Sequence, residues 1–316
     1  MKKSLLALAA LTAFAGAASA QSSVTLYGRV DLSVAKNLGD NKKEMQNGSG
    51  SRFGVRGVED LGGGLKALFN IEHRFNADTG ADSSGGVRQW NGRSLVGLQG
   101  GFGQVVFGRE YSTAFLGSQL GADPWGWDTI VARLNPAITG GAIAKVRYDS
   151  SATYRISASG FSFAAQIAEA TDTLYKVKNK PVNFALGYAS GPIAVGMGYE
   201  RTGEEAAETA KWMTIHGSYN LGMVKLGALY GTGDTAAGSE HRSYLLTAVA
   251  PMGAGELRAS YGRLENKTAN VDAAKGFALG YHYNMSKRTT LYVDVARNTA
   301  LSAEKSGYDV GIKHNF

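Results

Sequence analysis

The stretch Tyr308-Asp309-Val310-Gly311-Ile312-Lys313-His314-Asn315-Phe316 is the most informative part of this sequence for the fold. Apolar side chains alternate through it, at Tyr308, Val310, Ile312 and Phe316, and most residues between them are polar. That period of two is the period of a β-strand with one apolar face and one polar face. A strand of a soluble sheet would show the same pattern, so the rest of the sequence has to decide between the two.

Residues Met1 to Ala20 have the pattern of a secretory leader. Lys2 and Lys3 supply positive charge, an apolar run follows, and Ala18-Ser19-Ala20 resembles a cleavage site. A membrane anchor is the alternative, but the apolar run is shorter than the roughly 20 residues that a spanning helix needs. We expect a cleaved signal peptide at residues 1–20 and a single domain at residues 21–316. An exported chain that ends in an alternating strand predicts an outer-membrane β-barrel.

Composition limits the class of protein further. The chain has 43 glycines, 15 tyrosines and no cysteine, so disulfides and thiolate metal sites are excluded. Glycine at bends and tyrosine at the membrane interfaces suit the wall of a transmembrane barrel. The formal net charge is +7, but the cations are spread among alternating strands. Nucleic-acid binding is therefore not expected.

Strand-like segments recur along the chain, separated alternately by short turns and longer polar stretches, as in bacterial barrels. The predicted strands are 24–32, 52–58, 65–75, 93–99, 104–109, 146–156, 161–170, 182–189, 193–200, 212–219, 223–230, 243–250, 256–263, 277–284, 291–296 and 307–316. They predict an all-β fold, a 16-stranded antiparallel transmembrane β-barrel wide enough for an aqueous channel. The alternative, core strands of a soluble sandwich, is disfavoured because nearly every strand repeats the pattern.

Alternation also assigns side chains to lipid or to water. Arg52 and Arg56 alternate with apolar neighbours that we expect to meet lipid, so the two arginines should meet water. The same reasoning turns Glu72 inward, and Arg93 and Arg147 are expected to face the lumen. Any one arginine could be an ordinary solvated wall residue, but several on neighbouring strands predict a basic wall. The outward runs are Phe161/Phe163/Ala165/Ile167, Ile193/Val195/Met197/Tyr199, Val224/Leu226/Ala228/Tyr230 and Phe277/Leu279/Tyr281/Tyr283.

A long segment, Tyr111 to Ala142, lacks the strand period. Segments of this length are uncommon in compact domains unless they have a function. Folded into the lumen, it would narrow the channel, and its acids Asp123 and Asp128 would face the basic wall. Such an arrangement sets a transverse electric field across the narrowest point. The alternative is an external loop.

The stretch Gly50 to Ala67, which reads GSRFGVRGVEDLGGGLKA, resembles the signature of general diffusion porins of the β-proteobacterial, neisserial-like type. Residues 23–28, residues 101–103 followed by 107–109, and Phe316 are similar to other parts of that pattern. The resemblance runs from the leader to Phe316. Residues 266–274 match no motif of the family, and we expect a variable external loop there.

The resemblance implies a homotrimeric 16-stranded barrel whose long third loop folds into the lumen as a constriction. It implies modest anion preference, with lumen arginines facing an acidic loop. It further implies contact with outer-membrane lipid and lipopolysaccharide, and recognition of Phe316 by the barrel assembly machinery as a closing signal. The predicted constriction residues are Arg52, Arg56, Arg93 and Arg147 on the basic side and Glu72, Asp123 and Asp128 on the acidic side.

Signatures of enzymes are missing from the sequence. There is no Gly-x-Ser-x-Gly elbow, no phosphate-binding loop and no His-Glu-x-x-His, and the five histidines show no ligand spacing. We expect no catalytic residue, no cofactor and no metal. The leading hypothesis is a pore for passive diffusion of small hydrophilic solutes and ions. The alternatives are a channel specific for phosphate or small organic acids, and an outer-membrane barrel enzyme or adhesion protein.

Overall fold

The computed structural model describes residues 22–169, 180–203 and 209–316. The predicted signal peptide at residues 1–20 lies outside the described residues. Within the described ranges, no helix combines the length and the apolar character needed to cross a membrane.

The described part of the chain forms seventeen β-strands and four short helical turns. The helical turns all lie between β6 and β7, at Phe115–Gln119, Leu120–Ala122, Ile130–Arg133 and Asn135–Gly140. The strands are β1 Ser23–Lys36, β2 Lys43–Asn47, β3 Ser51–Gly62, β4 Leu65–Phe75, β5 Ser94–Gly100, β6 Gly103–Tyr111, β7 Arg147–Ala158, β8 Phe161–Ala168, β9 Val182–Ser190, β10 Ile193–Arg201, β11 Lys211–Asn220, β12 Lys225–Asp234, β13 Glu240–Met252, β14 Gly255–Asn266, β15 Val271–Asn284, β16 Thr289–Asn298 and β17 Ser306–Asn315.

All these strands belong to one antiparallel sheet, which closes on itself because β17 pairs with β1. Both β2 and β3 pair with β1, and only residues 48–50 separate them. Together β2 and β3 form one interrupted strand, so the barrel has 16 antiparallel strands, as predicted. A closed single sheet also excludes the sandwich alternative.

The predicted alternation of side chains is present on β8 and β12. On β8, Phe161 and Ile167 are exposed on the outside, whereas Gln166 between them is buried and bonded to Thr153. Leu226 on β12 is likewise exposed on the outer face. In a bilayer this face meets lipid, which does not compete for hydrogen bonds, and the strand backbone is satisfied by its neighbours in the sheet.

The prediction of a variable loop at residues 266–274 is wrong. Strands β14 and β15 extend to Asn266 and from Val271, so only residues 267–270 connect them. The side-chain oxygen of Asn266 accepts a hydrogen bond from the Ala269 backbone at 2.9 Å, and Asn270 adopts a positive φ of 55°. The start of β15, at residues 271–274, has no regular alternation of large apolar and polar side chains, so its sequence resembles a loop.

The barrel closes through a two-way backbone contact. The Phe316 amide donates to the Gly28 carbonyl at 3.1 Å, and the Gly28 amide donates to the Phe316 carbonyl at 3.0 Å. A Cβ at position 28 would overlap the Phe316 ring. Glycine at this position therefore makes room for the aromatic side chain at the seam.

Candidate functional site

Residues 112–146, between β6 and β7, pack against the polar face of the sheet. The Thr113 amide donates to Asn183 on β9 at 2.7 Å, and the Trp125 indole donates to Asp294 on β16 at 2.7 Å. The Ile130 amide donates to Asp309 on β17 at 2.9 Å. Strand β9 lies far in the sheet from the adjacent strands β16 and β17, so the segment makes contact with two widely separated parts of the wall.

A small hydrophobic core joins this segment to the wall. Ile138 in the loop is fully buried, in one cluster with Trp212, Leu245 and Leu264 from β11, β13 and β14. The Trp212 indole also donates to the Thr139 carbonyl at 2.9 Å. These strand residues are apolar side chains on a face that is otherwise polar. That break in alternation was the sequence signal for a covering segment, and the sequence reading missed it.

The basic wall is organised around the side chain of Tyr111. Its hydroxyl accepts hydrogen bonds from Arg74 and Arg147, each at 2.6 Å. The guanidinium carbons of Arg147 and Arg93 lie 4.1 and 4.8 Å from the centre of its ring. Cation–π attraction and these bonds offset the repulsion between neighbouring arginines. Arg56 makes a similar contact with the Tyr27 ring, at 5.2 Å.

Two wall carboxylates neutralise part of this charge. Glu72 is buried and accepts hydrogen bonds from Arg74 at 2.9 Å and from the Tyr27 hydroxyl at 3.2 Å. Glu110, also buried, accepts from Arg93 at 2.8 Å. Sequence reading selected Glu72 but not Glu110, which stands at an inward position near the end of β6.

The two loop acids have different surroundings. Asp123 is 4% exposed, and it accepts hydrogen bonds from the Trp127 amide and the Asn135 side chain, both at 2.8 Å. Burial raises the pKa of Asp123. Asp128 instead forms an ion pair with Arg29 at 3.2 Å, and burial raises the pKa of Asp128 to about 6. Of the two, Asp128 faces the basic wall, while Asp123 is engaged within its own loop.

Two of the cavities next to these residues share Arg29, Arg52 and Tyr111. The smaller, of about 250 Å³, is also bordered by Arg56, Glu72 and Arg93. The larger measures about 580 Å³. Among the described residues, its cationic border is formed by Arg29, Arg52, Arg74, Arg147, Arg258 and Lys313, and its acidic border by Asp123 and Asp128.

The structure thus brings the predicted residues Arg52, Arg147, Asp123 and Asp128 to one cavity. Arg29, Arg258 and Lys313 were not among the predicted site residues, although each stands at a polar position of an alternating strand. The sequence signal was present, but it does not reveal the height of a residue along the barrel axis.

A serine and a histidine do meet in the structure, as a barrel hydrolase would require. The Ser118 hydroxyl lies 3.2 Å from Nδ1 of His216, and the Thr214 hydroxyl donates to Ser118 at 2.8 Å. Ser118 belongs to the loop and is fully buried between the loop and β11, so a substrate could not reach it without displacing the loop. Among the described residues, no cluster of histidine and carboxylate side chains could hold a metal ion.

Comparison with known proteins identifies the family. Residues 7–301 match the family described as Gram-negative porin. An outer membrane porin protein of Bordetella pertussis is 32% identical, and outer membrane porin protein 32 of Delftia acidovorans is 33% identical, each over the full length of both chains. An anion-selective porin from Comamonas acidovorans superposes with a TM-score of 0.80 at 28% identity, covering 94% of this chain and all of that one. The chain belongs to the Gram-negative porin family and is an outer-membrane channel protein, not an enzyme.

Proposed function

We propose that this porin conducts small hydrophilic solutes by passive diffusion with a modest preference for anions. The observation that carries the proposal is the excess of cations over acids around the larger cavity. Asp123 is turned into its own loop, so Asp128 alone opposes the basic wall there. The similar porin from Comamonas acidovorans is anion-selective, which supports an anion preference here.

Simple electrostatics sets the size of the preference. One charge 4 Å from an ion in water contributes about 1 kcal/mol, and about 1.4 kcal/mol is a tenfold ratio. Pairing of Arg74 with Glu72 and of Arg93 with Glu110 removes part of the field. The Debye length is about 8–10 Å near 0.1 M salt, so the preference should weaken as salt rises.

We further propose that residues 112–146 narrow the lumen and form the constriction. Their hydrogen bonds to Asn183, Asp294 and Asp309 support a segment that crosses the interior rather than one that extends outside. In this arrangement Arg52, Arg56, Arg93, Arg147 and Glu72 line one side of the passage. The loop carrying Asp128 lines the other.

The assembly of the porin is proposed from its family. We infer a homotrimer that is exported through the periplasm after cleavage of residues 1–20 and inserted by the barrel assembly machinery. Its exposed apolar face would contact outer-membrane lipid and lipopolysaccharide. Heat-dependent mobility of the purified protein in gel electrophoresis tests the trimer, and N-terminal sequencing of the mature chain tests the cleavage site.

Reversal potentials in planar bilayers test the selectivity. The wild type should be anion-selective in a KCl gradient, and Arg52→Gln with Arg147→Gln should lower the chloride-to-potassium permeability ratio by about three- to tenfold. Arg242→Gln is the matched control, because Arg242 pairs with Glu240 and borders neither cavity. Cation selectivity in the wild type would refute the proposal. Liposome swelling with sugars of rising size should show a smooth cutoff, whereas saturation would favour a substrate-specific channel.

A further inference from the structure

The larger cavity has two chemically different sides. Cations stand on the barrel wall, but the loop contributes apolar side chains to the same border. Leu116, Leu120, Pro124 and Trp127 are each partly exposed there. Small inorganic ions gain nothing from an apolar surface, so that surface adds a second kind of recognition beside the charge.

The apolar side is built rigidly. The Trp127 amide donates to the buried Asp123 carboxylate at 2.8 Å, and the Trp127 ring meets Phe115 edge-on at 4.8 Å between centroids. Phe115 in turn stacks on Tyr111 at 5.6 Å, with ring planes 17° apart. Tyr111 carries Arg147 on its hydroxyl and against its ring. The aromatic series therefore runs from the apolar loop directly to the basic wall.

We propose that this cavity is a transit site for aromatic carboxylates. The carboxylate would lie toward Arg52 and Arg147, and the ring would lie against Trp127, Leu120 and Leu116. Arginine presents paired N–H donors that match a carboxylate, and an aromatic ring gains both apolar burial and ring contacts against tryptophan. A volume of about 580 Å³ is within the range of small-molecule sites.

The proposal rests on the proposed anion-conducting function and narrows its substrate class. A short aliphatic carboxylate such as propionate has the same charge but little apolar surface, so it would gain mainly the arginine contacts. Neutral aromatic solutes would gain the apolar contacts alone. An aromatic anion combines the two in a small volume, so the discriminating comparison is between small carboxylates of equal charge with and without a ring.

Block of chloride current in planar bilayers provides the test. Wild-type porin is titrated with sodium benzoate and, separately, with sodium propionate at pH 8, where both carboxylates are ionised. Benzoate should block half the current at a concentration at least fivefold below that of propionate. Trp127→Ser and, independently, Leu120→Ser should bring this ratio close to one. Arg147→Gln should weaken block by both anions.

Trp90→Ser is the matched control. Trp90 is exposed, packs edge-on against His73 and does not border the cavity, so its loss should leave the ratio unchanged. Equal block by benzoate and propionate in an anion-selective wild type would overturn this inference and leave the proposed function standing. A wild type without anion preference would overturn the proposed function itself. If the loop variants fail to insert, the ratio of half-blocking concentrations of propionate and benzoate in the wild type tests the proposal by itself.

Discussion

At the scale of single residues, Asp128 is a loop acid beside the larger cavity whose charge responds to pH near neutrality. Its pKa is raised to about 6, with burial as the main cause and Arg29 acting in the opposite direction. An ordinary aspartate titrates near 3.8, so only the raised value brings the change into a physiological range. The negative charge of Asp128, which opposes the basic wall, is therefore lost as pH falls through about 6.

The expected result is an anion preference that rises as pH falls. Protonation removes the negative charge beside Arg29, while the arginines stay charged, so the chloride-to-potassium ratio should increase between pH 7.5 and pH 5. Reversal potentials at several pH values measure it. Asp128→Asn should show the low-pH selectivity throughout. A slope that persists unchanged in Asp128→Asn would assign the titration to another group.

Asp123 should behave differently, because its carboxylate holds the loop together. Asp123→Ala removes the acceptor of the Trp127 amide, at a cost of about 1–3 kcal/mol for a buried donor left unpaired. It also removes one of the two acceptors of the Asn135 side chain, which keeps its bond to Ser260. We expect scattered and raised single-channel conductance rather than a simple shift of selectivity. Recordings of many single channels check this. A uniform conductance equal to that of the wild type would mean that the Asp123 carboxylate is not needed to hold the turn.

The sequence placed both acids in one irregular segment and could go no further. Which of them reaches the wall depends on the conformation of a turn in which Trp127 and Thr129 adopt positive φ angles of 64° and 62°. Neither tryptophan nor threonine favours positive φ, so the local sequence does not predict this turn. Arg52 and Arg147, in contrast, follow from alternation alone, because a strand offers only two faces.

At the scale of elements, the strands were predictable and the docking of the loop was not. Period-two patterns place most strands within a few residues and set the inward side, but they miss β2 and the first residues of β15. The same patterns place Leu245 and Leu264 on the inward side of the strands, where a covering segment buries them. The sequence does not say which part of residues 112–146 covers them, because short helical turns carry too few residues for a helical period.

Neighbouring leucines on β13 offer a matched pair for the docking. Leu245 is 0% exposed beneath the loop, and Leu246 is 58% exposed on the outer face. Leu245→Ala should cost about 2–5 kcal/mol in packing, loosen the loop and raise single-channel conductance. Leu246→Ala should leave conductance unchanged. Equal conductance in the two variants would mean that the loop does not depend on this core.

At the scale of the whole molecule, the contact between Gly28 and Phe316 lies at one end of the β1–β17 seam that closes the barrel. Gly28→Val places a branched side chain where the Phe316 ring lies, and deletion of Phe316 removes the same contact. Both variants should lower the yield of folded, heat-modifiable protein while leaving the conductance of each inserted channel nearly unchanged. Gly101→Ala is the control, since its added methyl group meets open space. Normal yield in both variants would mean that the barrel closes without this contact.

The seam between β1 and β17 also has a consequence for the time course of folding. Arg29 and Asn315 bond across it at 2.9 Å although 286 residues separate them in the chain. Contacts between positions so distant in sequence form slowly, because the entropy cost of closing a long loop comes before the favourable contact energy is gained. Until then, two strand edges with unpaired backbone groups stay available to other chains. Refolding into detergent should therefore end in a slow step, with losses to aggregation that grow with protein concentration.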